Sequence, residues 1–305
     1  MLEIFNPKEN QQHEINVTDG STPEAEDFPR LVKRLEAFKA FRPRLNVVGQ
    51  FDHFKPSVLG QVAQGCLDVR SVTGPDQVAD PVPNEAWIRW APHSRYAIPT
   101  DLRAAVPASA HIINDTHFNC DKRSVSLGFE RVFGYSVGID PLAHVGEGVA
   151  KSRQNAAHDG RIMRFPIEAA KPGTAYERVV NNQVGNYVCD FRVPIVLGRI
   201  PFIYLKFRPH ATRFSNTNSW ARICSPLDVM SPGELRSIVL FSQHIGLEYG
   251  ELDVLRDLDE GRIYVVDANN TPYGPPNGLA AEARDLAIRL LRYCILDRVF
   301  RLATP

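Results

Sequence analysis

Residues 251–272 run Glu-Leu-Asp-Val-Leu-Arg-Asp-Leu-Asp-Glu-Gly-Arg-Ile-Tyr-Val-Val-Asp-Ala-Asn-Asn-Thr-Pro, and they constrain this chain more than any other segment. Two β-rich runs, Leu252–Asp257 and Arg262–Ala268, flank the turn sequence Asp259-Glu260-Gly261, so a short hairpin is expected. Side chains alternate faces along a strand, which puts Asp267 and Asn269 on one side. A loop of two to four residues would bring Asp253 opposite position 265 to 267. Ile263, Val265 and Val266 make the second strand apolar, and a carboxylate ending a buried strand needs a partner. Asp253, Asp267 and Asn269 are therefore candidate ligands for a hard cation such as Mg²⁺. The competing reading is a solvated turn that closes an edge strand.

Composition narrows the class. At 305 residues the chain has room for two or three lobes, and 44% hydrophobic with 23% charged residues is ordinary for a globular protein. Lys plus Arg equals Asp plus Glu, 35 against 35, so no global charge favours nucleic acid or an anionic membrane as partner. No apolar run approaches the ~18–20 residues that span a bilayer. The N-terminus, Met-Leu-Glu-Ile-Phe-Asn-Pro-Lys-Glu, lacks the basic and apolar regions of a signal peptide. Cys66, Cys120, Cys189, Cys224 and Cys294 are scattered and never spaced Cys-x-x-Cys, as expected of buried thiols in a reducing compartment. The cytoplasm is the expected location.

Along the chain, residues 1–28 are polar and aperiodic, a loose arm by expectation, and Phe28–Phe41 has helical spacing in Leu31, Leu35 and Phe38. Strands are expected at Leu45–Gly49, Ala86–Trp90 and Ala110–Asn114, with a helix at Thr100–Ala105 among the segments between them. This alternation indicates an α/β lobe with a parallel sheet over 29–115. The pattern then changes. A helix over Asp121–Phe133 precedes strands at Gly148–Lys151, Ile162–Pro166 and Tyr176–Val180. Two longer strands, Tyr187–Leu197 and Ile200–Arg208, join at Gly198-Arg199, and helices are expected at Pro232–Ile245 and Leu279–Phe300. Residues 116–305 therefore form an α+β unit, divided into a small part at 116–180 and a second part at 181–305. Exposed apolar residues on the last helix would favour a homodimer.

The strand Tyr187–Leu197 puts Cys189, Phe191, Val193, Ile195 and Leu197 on one face and Asp190, Arg192 and Pro194 on the other. Pro194 implies an edge or a bulge. On the partner strand Lys206 and Arg208 share a face with Tyr204. Such a charged face suits a polyphosphate, although solvated sheet faces look the same. Lys151 ends a short strand before the loop Ser152–Gly160, and Lys122 opens a helix; either could reach phosphate. Gly134-Tyr-Ser-Val-Gly138 spells the G-x-S-x-G elbow of serine hydrolases, but a helical pattern precedes Ser136 where that motif needs a strand.

These pieces, in this order from Asn114 to Leu279, resemble the ATP-grasp superfamily of carboxylate–amine ligases. The likeness extends to the ribosomal-protein glutamate ligase and D-alanine–D-alanine ligase families. The matching fragments are Asp121-Lys122-Arg123, Lys151, the adenine-hinge pattern Tyr176-Glu177-Arg178-Val179-Val180, Asp190-Phe191-Arg192-Val193, then Lys206, Arg208 and Arg213. The closing signature is met by Asp253-Val254, Gly261, Tyr264-Val265, Asp267, Asn269 and Pro272. The resemblance implies an ATP-grasp fold behind an N-terminal α/β lobe, with ATP and Mg²⁺ (Mn²⁺ as substitute) as cofactors. It implies adenine against Glu177, Arg178 and Val179, and phosphates on Lys122, Lys151 and Lys206. Arg192 and Arg208 would serve the reaction, and Asp253, Asp267 and Asn269 the metal. A carboxylate would be phosphorylated and an amine would displace phosphate. Small-molecule or peptide acids and amines are the implied partners. Three departures stand out: Asp267 where the family has Glu, a loop after Lys151 almost without glycine, and Glu251 where some members have Arg. They leave open a non-catalytic nucleotide-binding protein or scaffold, and a kinase outcome uses the same metal site.

Overall fold

The computed structural model describes residues 42–92, 97–115, 119–153, 157 and 159–300. The expected N-terminal arm, the helix over Phe28–Phe41 and His158 lie outside the described residues.

The N-terminal lobe is built on β1 (Arg44–Gly49), whose run Arg-Leu-Asn-Val-Val-Gly buries its four central residues as a strand covered on both faces does. Two short helices, α1 (Phe51–Phe54) and α2 (Val58–Ala63), lead to β2 (Asp68–Val72). Then come β3 (Glu85–Trp90), α3 (Thr100–Ala105) and β4 (Ile112–Ile113). The sheet order is β2-β1-β3-β4, and every pairing is parallel, as the alternating sequence predicts.

Asp121 caps the next helix, α4 (Lys122–Phe133), by accepting from the Arg123 amide, and Gly134 ends it in the left-handed conformation that glycine adopts without strain. A helix therefore precedes Ser136, and the hydroxyl of Ser136 accepts from the Gly138 amide in a turn. This local structure excludes the hydrolase elbow, which requires a strand there. Strands β5 (Gly146–Ser152), β6 (Arg161–Phe165) and β7 (Thr174–Arg178) form a three-stranded antiparallel sheet of order β6-β5-β7.

The central sheet follows. Its strands are β8 (Gln183–Val184), β9 (Tyr187–Val196), β10 (Ile203–Pro209) and β11 (Trp220–Cys224), then helices α5 (Pro226–Val229) and α6 (Pro232–His244). Next come β12 (Tyr249–Arg256) and β13 (Ile263–Asn269), and α7 (Ala281–Arg298) closes the chain. The main order is β11-β10-β9-β12-β13, all antiparallel. Strand β9 is central, yet its ladder to β10 ends at Arg192, so Pro194 has a strand neighbour on one side only, the local edge expected there, and its missing N–H is tolerated.

One face of the central sheet packs Val193, Ile195, Leu252 and Val254 against Phe129 of α4 and Phe241 of α6. Ser231 and Glu234 start α6 with a reciprocal capping box and Pro232 in the first turn. A second core joins the N-terminal lobe to the central sheet through Trp90, Phe202, Tyr204, Tyr249, Leu291 and Ile295. The apolar side of α7 is spent in this core, and none of its residues is among the exposed large hydrophobics, so the sequence argument for a homodimer falls. Among the described residues no helix is long and apolar enough to cross a membrane.

Asn114 locks the two lobes together. Fully buried at φ +57°, it donates from Nδ2 to the Tyr249 carbonyl at 2.6 Å and accepts at Oδ1 from the Glu248 and Tyr249 amides at 2.9 and 3.1 Å. Asn114→Ala leaves these groups unsatisfied and is expected to destabilise by about 2–4 kcal/mol, read by urea unfolding.

Candidate active site

The hairpin expected near the C-terminus is β12 paired with β13, and Asp253 lies directly opposite Asp267. A register shift follows: Val254 pairs with Val265, so Val266 is an extra residue in β13. Glu251 lies opposite Asn269. On the other side of β12, Asp253 faces Arg192 of β9, and Arg192 in turn faces Tyr204 of β10. Side-chain alternation thus lays one polar face across four strands. Gly250 sets the spacing, because a Cβ there would press against the Asn269 carbonyl oxygen.

This face is packed rather than solvated. Lys206 is 3% exposed and donates to Asp253 Oδ1 at 2.7 Å. Arg192 gives the same carboxylate two bonds, Nε to Oδ1 at 3.1 Å and Nη2 to Oδ2 at 3.3 Å. Burial alone would raise the Asp253 carboxyl, but Arg192 and then Lys206 hold it well below the usual carboxylate range. Burial and Arg192 push the Lys206 ammonium down, with Asp253 opposing. Lys122, nearly buried at the start of α4, donates to Asp267 Oδ2 at 2.9 Å. Each of these carboxylates is already matched by a cation from a different element.

Lys151 of β5 reaches across to the central sheet. Its Nζ donates to the carbonyl of Val266, the bulged residue, at 2.9 Å, and pairs with the buried Glu177 carboxylate at 2.7 Å. Arg178 donates its backbone amide to Val137 and turns its side chain to Glu260 and Tyr264 of the hairpin. Val179 differs from both: among the described residues nothing hydrogen-bonds its amide or its carbonyl.

Two expected members are engaged by other partners. Arg208 does not reach the carboxylates; its guanidinium pairs with Asp190 and donates to the carbonyls of Arg213 and Ser215. Asn269 shares the face, but its Oδ1 accepts from the Thr271 amide at 3.0 Å. Among the described residues no three His, Cys, Asp or Glu side chains close on one point as a metal cage. A cavity of about 340 Å³, lined in part by Glu85, Trp87 and His111 of the N-terminal lobe and by Leu197 and Val299, contains none of these residues.

Sequence reasoning passed over Glu251 as a site residue. It is 3% exposed and sits two positions from Asp253, so alternation alone would have placed it on this face. Burial pushes its carboxyl up to about 7, with Arg192 opposing and the Asp253 carboxylate adding to the rise.

Solved structures supply the comparison. The ATP-grasp ligase PsnB, complexed with a phosphomimetic variant of minimal precursor, Mg and ADP, matches with a TM-score of 0.52 and 15% identity, over 83% of this chain and 98% of that one. VanG D-Ala:D-Ser ligase from Enterococcus faecalis matches with a TM-score of 0.53 and 10% identity, over 86% and 100%. The chain has the ATP-grasp fold. No family model matches the sequence, and no match is found among curated proteins. The ATP-grasp fold therefore stands here on backbone geometry.

The donor set fits Mg²⁺ on its chemistry. Mg²⁺ keeps several waters and takes one or two carboxylates plus substrate phosphates rather than a full protein cage. Asp253 opposite Asp267, with Asn269 on the same face, is a set of that kind, and the lysines beside it suit phosphate.

Proposed function

We propose that this chain is an ATP- and Mg²⁺-dependent ligase that joins a carboxylate to an amine through an acylphosphate. The observation that carries the reading is Asp253 set against Asp267 across a two-strand ladder, each held by a cation. Asp253, Asp267 and Asn269 would hold Mg²⁺, which supplies charge neutralisation for the bound phosphates. The unengaged amide and carbonyl of Val179 are suited to the edge of adenine, as backbone donors and acceptors are. PsnB, the ligase complexed with Mg and ADP, supports the same cofactors for this fold.

In this scheme the cations change partners. Without ligand, Lys122, Lys206 and Arg192 neutralise Asp267 and Asp253. Asp253 and Asp267 would hold the metal of a bound metal–nucleotide complex, which would leave Lys122 available to phosphate oxygens. Lys151 stays on the bulge carbonyl and Glu177, tying the small sheet over the central one. Arg192 remains beside the transferred group, where its guanidinium steadies developing negative charge. The carboxylate oxygen attacks the γ-phosphorus and ADP leaves; the amine nitrogen then attacks the acyl carbon, phosphate leaves and the nitrogen gives up a proton, so no side-chain nucleophile is needed. PsnB is also known complexed with precursor peptide PsnA2, and a peptide or a small acid is the substrate class proposed here.

The test is ADP release from ATP and Mg²⁺ in the presence of pooled carboxylates and amines. Wild type is expected to release ADP only when both an acid and an amine are present, and Asp267→Asn to lose at least about a hundredfold in rate. Nucleotide binding with no turnover under any acid and amine would make the chain a non-catalytic nucleotide binder. Release accompanied by a phosphorylated hydroxyl would make it a kinase.

A further inference from the structure

The charges on the polar face have partners, with one exception. Glu251 is 3% exposed, yet neither of its carboxylate oxygens accepts a hydrogen bond among the described residues. Its nearest cation is Arg192, with Nε 3.5 Å away, and that guanidinium gives its hydrogen bonds to Asp253. A buried carboxylate left so poorly matched is costly unless a partner arrives from outside the fold.

The surroundings say what kind of partner. Tyr249, Glu251 and Asp253 alternate onto one face of β12, so the Tyr249 ring flanks the carboxylate on the side away from the metal residues. Tyr204, on the strand beyond Arg192, is fully buried with an unpartnered hydroxyl, and Glu251 lies within electrostatic reach of both tyrosines. Trp90, whose ring centroid is 6.1 Å from that of Tyr249, closes this end with another unpartnered donor, Nε1. An anion would be repelled by Glu251. A second divalent metal needs more oxygen ligands, and an indole N–H cannot ligate one. A carboxylate beside aromatic rings matches an organic cation.

We infer that Glu251 is the recognition residue for a cationic nitrogen of the substrate, an ammonium or guanidinium group seated beside Tyr204 and Tyr249. The place of this group in the reaction rests on the ligase reading: next to Asp253, it belongs to the molecule being joined rather than to the nucleotide. The Tyr204 hydroxyl supplies a neutral contact to the same ligand.

The experiment is calorimetric titration of the full chain with n-butylammonium chloride and with lysine amide, against n-butanol as the uncharged control, with and without Mg·ADP. Wild type is expected to bind both amines and not the alcohol. Glu251→Gln, nearly isosteric, is expected to weaken amine binding by at least about tenfold. Tyr204→Phe is expected to weaken it by a smaller factor and gives a second variant should Glu251→Gln fold poorly. Equal amine affinity in wild type and both variants, no amine binding by wild type, or equal binding of the alcohol overturns the inference. Loss of Mg·ADP binding in Glu251→Gln with amine binding unchanged makes Glu251 a metal ligand and also overturns it. Failure of wild type to bind Mg·ADP removes the ligase reading, while the amine titration without nucleotide still decides the role of Glu251.

Discussion

Replacing Asp253 with alanine is expected to lower the unfolding free energy by about 3–5 kcal/mol and to abolish Mg²⁺-dependent nucleotide binding. Removing a carboxylate from an acidic metal site usually relieves repulsion and stabilises the free protein. Here the sign reverses. Asp253 is the hydrogen-bonded counter-charge of Lys206, which is almost wholly buried, and of Arg192, which binds it through two nitrogens. Without it Lys206 keeps its burial and loses its partner, because its Nζ has no other carboxylate bond among the described residues. Asp253→Asn retains an acceptor for Lys206 without the charge and is expected to recover part of the stability but none of the nucleotide binding. Urea unfolding and calorimetry read the two effects. An Asp253→Ala protein as stable as wild type would mean that the ion pairs around it contribute nothing.

Lys122→Met should act in the opposite direction on the metal and the nucleotide. The lysine holds Asp267 at 2.9 Å, so in the free protein it competes with any cation for that carboxylate. Its removal is expected to tighten Mg²⁺ binding in the absence of nucleotide by about tenfold, because Asp267 becomes available. The same change should weaken Mg·ATP binding by about tenfold or more, since a phosphate loses a charged donor. Stability should move little, because Asp267 is 30% exposed in its side chain and water can solvate it. Calorimetric titration with Mg²⁺ alone and with Mg·ATP separates the two changes. Movement of both affinities in the same direction would contradict the exchange of partners.

The hairpin was legible because its information is local. Alternation puts Asp267 and Asn269 on one face whatever the tertiary structure, and the turn at 259–261 restricts which residue can face Asp253. The strands run Tyr249–Arg256 and Ile263–Asn269 where the sequence suggested Leu252–Asp257 and Arg262–Ala268, so the boundaries moved while the faces held. The bulge at Val266 was not legible, since an extra residue depends on how the neighbouring strand and Lys151 take up the freed carbonyl. The ion pairs were hidden for a related reason. Lys122 and Asp267 are 145 positions apart, and nothing in either neighbourhood marks them as partners. Lys206 lies on a strand whose alternation fits a solvated face equally well, yet every residue of that strand before Pro209 is buried. Arg208 illustrates the limit of matching by position: it occupies the expected strand, but Asp190 of the neighbouring strand β9 captures it. On α7, the apolar residues that suggested a dimer are those that join the helix to the N-terminal lobe.

The central claim is that a magnesium–nucleotide complex binds the face shared by Asp253, Asp267 and Asn269. Thermal unfolding with and without Mg·ATP, in wild type and in Asn269→Ala, tests it most directly. Wild type is expected to melt at a higher temperature with Mg·ATP, and an Asn269→Ala protein that melts near wild type without ligand is expected to show no shift. Absence of stabilisation by any adenine nucleotide with Mg²⁺, or a shift of equal size in Asn269→Ala, would contradict it.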